Sequence, residues 1–201
     1  MLTLGKKGSI ARHGIGVLAT MLVLAAVPAM AAQPDLSEEQ IVTNLQGLSD
    51  NAPAIDVAVL AQEALANVGK PPGKASLPAW DKLSSYPQLT VEINFQYDSI
   101  AVVPDSYRAL GLMADALHHP LLLGYKFLIV GHTDANGKAD YNLKLSQRRA
   151  DAIKEILSTT FAVPANRLFS VGVGEELPVD AANPADAINR RVQVINIGAL
   201  K

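Results

Sequence analysis

The chain has 201 residues, 49% of them apolar and 18% charged, which allows one folded domain of ordinary size with appendages and leaves no room for two large ones. Lys6, Lys7 and Arg12 lie in the first dozen residues and every Asp and Glu lies at or after Asp35, so the body carries 14 basic against 19 acidic groups, which argues against a nucleic-acid binder that must neutralise phosphates. The absence of Cys excludes disulfides, thiolate metal sites, a cysteine nucleophile and an acylated N-terminal Cys.

Residues 1–31 follow the order of a secretory signal peptide: a basic start, the uncharged run Ile15 to Val27, then Pro28 and Ala29-Met30-Ala31. The 13 residues of that run fall short of the roughly 20 that a helix needs to cross a bilayer core. Cleavage after Ala31 and export are expected; retention as an uncleaved anchor is the alternative. Residues 32–88 read as an Ala- and Pro-rich, partly helical tether with little core of its own. One helical stretch opens at Asp35-Leu-Ser-Glu-Glu-Gln and places Ile41, Leu45 and Leu48 on one face. A second runs from Ala54 to Val68 and stops at Gly69, after which Lys70-Pro-Pro-Gly and Leu77-Pro78 break any helix. Helices this short are marginal alone.

From Leu89 the pattern alternates strand and helix. Leu89 to Phe95 alternates apolar and polar side chains, the sign of a half-buried strand. Pro104 opens a helix with Tyr107, Leu110, Met113, Ala114 and Leu117 on one face, ending near His118-His119. Lys126 to His132 is apolar enough for a central strand covered on both faces. Ser146 looks like the N-cap of a helix running to about Thr160, and residues 167–173 and 192–197 supply two more strands. This β-α-β-α-β order over residues 89–199 predicts an α/β (α+β) fold, with helices packed on a mixed sheet in two layers.

The residues able to carry chemistry cluster after the central strand: Gly131-His-Thr-Asp134, Tyr141-Asn142, Ser146 and Arg148-Arg149. With Ser146 as cap, Arg149 would stand at the third residue of a helix, where guanidinium and free N–H groups together favour a carboxylate. Asp134 offers the opposite charge, so the pair suits a zwitterion such as an amino acid. The plain alternative is an Asp134–Arg149 salt bridge serving structure alone. Catalysis is disfavoured, because the chain holds neither a Gly-x-Ser-x-Gly elbow nor a His-Glu-x-x-His run. No metal site is expected, since His118 and His119 are adjacent and share no helix face.

Ile93-Asn-Phe-Gln-Tyr-Asp-Ser99, Gly131-His-Thr-Asp134, Tyr141-Asn142, Leu145-Ser146, Arg149-Ala150, Val171-Gly-Val-Gly-Glu175, Pro178, Asn183 and Asn189-Arg-Arg-Val192 resemble the OmpA C-terminal-like domain over essentially all of residues 89–199. The resemblance implies non-catalytic binding of peptidoglycan through the diaminopimelate residue of its stem peptide, without a cofactor, in the periplasm or at the outer membrane. It places Asp134 and Arg149 on the family's two principal ligand positions and Thr133, Asn142 and Arg190 on secondary ones. Gln96 stands where many members carry Asp, which costs that contact its charge. An enzyme or accessory of wall remodelling using the same groove is the alternative function. The tether is open to an envelope-protein partner that the sequence does not specify. No acylatable Cys or eight-stranded barrel accompanies the domain.

Overall fold

The computed structural model describes residues 36–49, 52–70, 77–96 and 98–200; the expected signal peptide lies outside the described residues. Helix α1 (Glu38–Leu45) begins at Ser37, whose hydroxyl accepts from the Gln40 N–H while the Gln40 amide oxygen accepts from the Ser37 N–H. Asp56 caps α2 (Val57–Asn67) by accepting from the Ala58 N–H. A short α3 (Pro78–Lys82) starts on the proline, whose missing N–H costs nothing there. Then come β1 (Gln88–Val91), a 3-10 turn at Pro104–Ser106 leading into α4 (Tyr107–His118), β2 (Tyr125–Gly131), α5 (Ala139–Thr159), β3 (Leu168–Gly172) and β4 (Val192–Ala199).

The four strands form one mixed sheet in the order β1-β4-β2-β3, with β4 antiparallel to both neighbours and β2 parallel to β3. The strand expected at Leu89 to Phe95 is shorter than its pattern: pairing with β4 stops at Val91, and Phe95 rejoins the structure through a bridge to Val102. In β2, Phe127 and Ile129 point to one face and Leu128 and Val130 to the other. The first face is covered by α4, α5 and α1, which bring Leu110, Leu117, Ile153, Leu157, Ile41 and Leu45.

The second face changes the expected organisation. Leu128, Val130, Val171 and Ile195 pack against Leu60, Leu77, Trp80, Leu83 and Tyr86, all from the segment expected to be a tether. The described part of that segment is therefore core: each fully buried leucine contributes about 1.5–3 kcal/mol that a detached linker would forgo. Polar contacts fix its position. Trp80 donates from its indole nitrogen to the Leu60 carbonyl at 3.0 Å, Asn67 donates to Glu176 at 2.7 Å, and the buried Asn196 on β4 donates to the Leu45 carbonyl at 2.9 Å. The expected two layers become three, with helices on both sides of the sheet. Among the described residues no helix is long and apolar enough to cross a membrane.

Helix α5 is the second correction. It begins at Ala139, seven residues before Ser146, so Ser146 is interior and wholly buried. Its hydroxyl donates to the Leu143 carbonyl at 2.8 Å and accepts from the Gly174 N–H at 2.8 Å, which ties the helix to the loop after β3. Gly131 and Gly172, partners in the β2–β3 register, sit directly under it. A Cβ on Gly131 would strike the Ser146 carbonyl and one on Gly172 the Gln147 backbone nitrogen, so both glycines are what let α5 lie close to the strand ends.

Candidate functional site

The C-terminal end of β2 opens into a groove of about 650 Å³, walled by residues 93–96 and Asp98, the start of α5 and the Arg190–Val192 approach to β4. All six residues expected at the site are brought to this groove or its rim: Gln96, Thr133, Asp134, Asn142, Arg149 and Arg190 line it. Strand ends in open sheets place loops where ligands reach side chains from several elements, as they do here.

Asp134 is largely buried and held by its own turn. Its Oδ1 accepts from the Asn136 N–H at 3.0 Å, and its Oδ2 takes an ion pair from Arg190 Nη1 at 2.6 Å. The alternative Asp134–Arg149 salt bridge does not form among the described residues. Arg190 is the exposed partner of the pair that does, with its side chain 52% exposed against 11% for Asp134. An ammonium entering the groove can share or take over Oδ2 from Arg190.

Arg149 stands in the middle of α5, so the helix terminus offers its ligand nothing; the anion receptor must be the guanidinium itself. Its Nε donates to the Ser99 carbonyl at 3.2 Å, and its carbon lies 4.7 Å from the centre of the Phe95 ring. These contacts orient the fork while, among the described residues, neither Nη group has a hydrogen-bond partner. Burial lowers its pKa from the ordinary arginine value, and Arg190 nearby adds to that lowering. A half-buried, pre-oriented guanidinium with two open N–H arms suits a carboxylate bound through two parallel hydrogen bonds.

Asn142 builds the floor. Its side-chain nitrogen reaches the Asp134 carbonyl at 3.3 Å, the Asn136 carbonyl at 3.1 Å and the Glu175 carboxylate at 2.6 Å, so it joins α5 to two loops. That makes it a positioning residue for Asp134. Thr133 Oγ1 and His132 Nδ1 are buried at the groove without a hydrogen-bond partner among the described residues. His132 Nε2 faces Gln193 Oε1 at 3.3 Å; burial, with Arg191 adding to it, pushes the imidazole pKa well below its ordinary value. Gln96 is exposed on the rim and uses its backbone, with its N–H donating to the Ala101 carbonyl at 2.9 Å.

Four contributors carry no assigned role in the sequence reading. Phe95 supplies the surface under Arg149, Ser99 its carbonyl, and Asp98 and Tyr141 hydrogen-bond to each other beside it. Asp98 has a positive φ of 49°, uncommon for a side-chain-bearing residue, although Asp tolerates it better than most. Phe95, Asp98 and Ser99 were legible as parts of a motif, but their convergence on Arg149 depends on a turn that no local pattern announces.

Residues 94–191 match the OmpA family. Over 108 residues, 53% of this chain, the sequence is 36% identical to outer membrane porin F of Pseudomonas fluorescens and covers 32% of that protein. Over 102 residues, 50% of this chain, it is 37% identical to the peptidoglycan-associated lipoprotein of Pseudomonas putida and covers 59% of it. The crystal structure of the peptidoglycan-associated lipoprotein from Burkholderia pseudomallei is 34% identical, with 52% of this chain and 87% of that chain covered and a TM-score of 0.43. The chain thus spans less than two thirds of the length of the porin and of the Pseudomonas lipoprotein.

Proposed function

We propose that the groove at the end of β2 binds peptidoglycan and anchors the protein to the cell wall, a reading supported by the match of residues 94–191 to the OmpA family. The domain is a non-catalytic binder that works in the cell envelope. The observation that carries the reading is the open fork of Arg149: a guanidinium fixed by Ser99 and Phe95 yet, among the described residues, uncommitted at both Nη groups, across the groove from a carboxylate whose ion pair is with an exposed arginine.

The ligand group that fits is a zwitterion, one carboxylate beside one ammonium. In a stem peptide this is the free end of diaminopimelate: its carboxylate meets Arg149, its ammonium meets Asp134 Oδ2, and Arg190 swings from Asp134 toward the carboxylate. Thr133 Oγ1 is a further polar contact at the floor. Gln96 supplies an uncharged amide at the rim, weaker than a charge-assisted contact. Export by residues 1–31 belongs to the same proposal, since the ligand lies outside the cytoplasm.

The test is co-sedimentation of purified protein with sacculi. Wild type should pellet with diaminopimelate-type sacculi and remain in solution with lysine-type sacculi, whose side-chain amine has no carboxylate beside it. Asp134→Ala should lose binding by about 2–5 kcal/mol, roughly 30-fold to several thousand-fold. Equal sedimentation with both wall types removes the diaminopimelate assignment. Release of muropeptides during the incubation would favour a remodelling enzyme instead.

A further inference from the structure

A second concavity adjoins the groove and is built partly from outside the family match. It is a trough of about 450 Å³ between α2 and the first half of α5, over the end of β3, with Ala61, Leu143 and Leu145 on its walls. Tyr141 and Leu145 line both the trough and the groove, so one ridge separates two parts of a continuous surface. Lys144 and Arg148 rim the trough. They lie one helical turn apart on the same side of α5. Both are exposed, and among the described residues neither forms an ion pair. The trough is therefore apolar inside, cationic at its edge and contiguous with the candidate ligand site. Ala61, from α2, is small enough to leave the space open.

We infer that this trough is a second subsite for the stem peptide, which takes the alanyl-γ-glutamyl arm preceding the diamino acid and reads its free carboxylate with Lys144 and Arg148. The inference rests on the groove reading above. A residue held at Asp134 and Arg149 is one link of a longer peptide, so its neighbours must leave the groove across some wall. The Tyr141–Leu145 ridge leads to the surface whose chemistry matches that arm. A γ-linked glutamyl residue leaves its α-carboxylate free and presents two methylenes, and the alanine adds a methyl. The other arm, a terminal alanine, has one methyl and would leave most of the trough unfilled. Helix α2 then takes part in recognition, in addition to covering the sheet.

The experiment is calorimetric titration of the full mature chain with three probes: free meso-diaminopimelate, L-alanyl-γ-D-glutamyl-meso-diaminopimelate, and meso-diaminopimelyl-D-alanine. Wild type should bind the tripeptide about three- to tenfold more tightly than the free amino acid, the range expected for one or two solvent-exposed ion pairs. The advantage should shrink at high salt. Lys144→Ala combined with Arg148→Ala should abolish that advantage and leave the affinity for free diaminopimelate unchanged. Ala61→Leu, which fills the trough from an exposed position, should do the same. Arg149→Ala should lose all three probes. Equal wild-type affinity for free diaminopimelate and tripeptide, or a tripeptide advantage that survives both trough variants, overturns the trough and leaves the groove reading intact. A gain for the diaminopimelyl-alanine probe in place of the tripeptide overturns it as well. Failure of wild type to bind any of the three overturns both readings.

Discussion

Two arginines at opposite ends of the sheet use the same materials for different ends. Arg167, before β3, is 2% exposed and lies 5.5 Å from the Phe127 ring; Arg149 is half-buried and lies over Phe95. Every arm of Arg167 is spent: Nε on the Tyr125 carbonyl at 2.9 Å, Nη1 on Leu117 at 3.0 Å and Nη2 on Leu122 at 2.6 Å. It gathers the end of α4, the turn after it and the start of β2 into one knot. Among the described residues Arg149 spends one arm and holds two open. Burial and stacking alone do not distinguish structural from receptor arginines; the count of unsatisfied donors does.

The contrast can be broken most forcefully at Arg167. Arg167→Met takes the guanidinium donors from three carbonyls, of which that of Leu122 keeps the Tyr125 N–H, and should cost about 3–5 kcal/mol, lowering Tm by about 6–20 °C. Sacculus binding per folded molecule should be unchanged. A wild-type melting curve for this variant would show that the knot contributes little.

Gly172→Ala should sharpen the comparison by moving both readouts at once. The added methyl must push α5 off the sheet, at a cost of about 1–3 kcal/mol, and the helix carries Arg149 with it. Reduced Tm with reduced affinity is the expected pair; a loss of stability with wild-type affinity would show that the groove does not depend on the close seating of α5.

The groove end should also carry the acid sensitivity. The folded protein holds the His132 pKa well below its ordinary value, whereas the unfolded chain titrates near 6.5. The unfolded state then binds more protons as pH falls below that value, so stability is full above about pH 6.5 and declines toward pH 5 by at most about 1.4 kcal/mol per unit. Melting curves between pH 7.5 and 5 should show this decline in wild type and a shallower one in His132→Gln. Identical slopes would contradict the assignment.

The sequence made the groove end easier to read than the layers around it. Asp134 and Arg149 were visible because loop carboxylates and arginines at this spacing form a dense motif. Ser146 was misread as a cap because a hydroxyl before an apolar stripe looks like a terminus; its partner, Gly174, lies 28 residues away. Asn142 escaped as a buried residue for the same reason, since its closest partner is Glu175, 33 residues on. The third layer was legible in principle. Leu128 and Val130 alternate with Phe127 and Ile129 in β2, so two faces needed cover, and residues 89–199 contain helices for only one. Leu60, Trp80 and Leu83 follow the spacing of no single helix and a Pro-rich stretch separates the first from the others, so no local period marks them as core.

Arg149→Lys tests the central claim most directly, because it keeps the charge and removes the fork. Measured together, thermal melting and sedimentation with diaminopimelate-type sacculi should give a Tm close to wild type and a loss of affinity of about 2 kcal/mol or more, roughly 30-fold. Wild-type affinity in a folded Arg149→Lys protein would show that a point charge suffices and that the open arms of Arg149 are not the receptor.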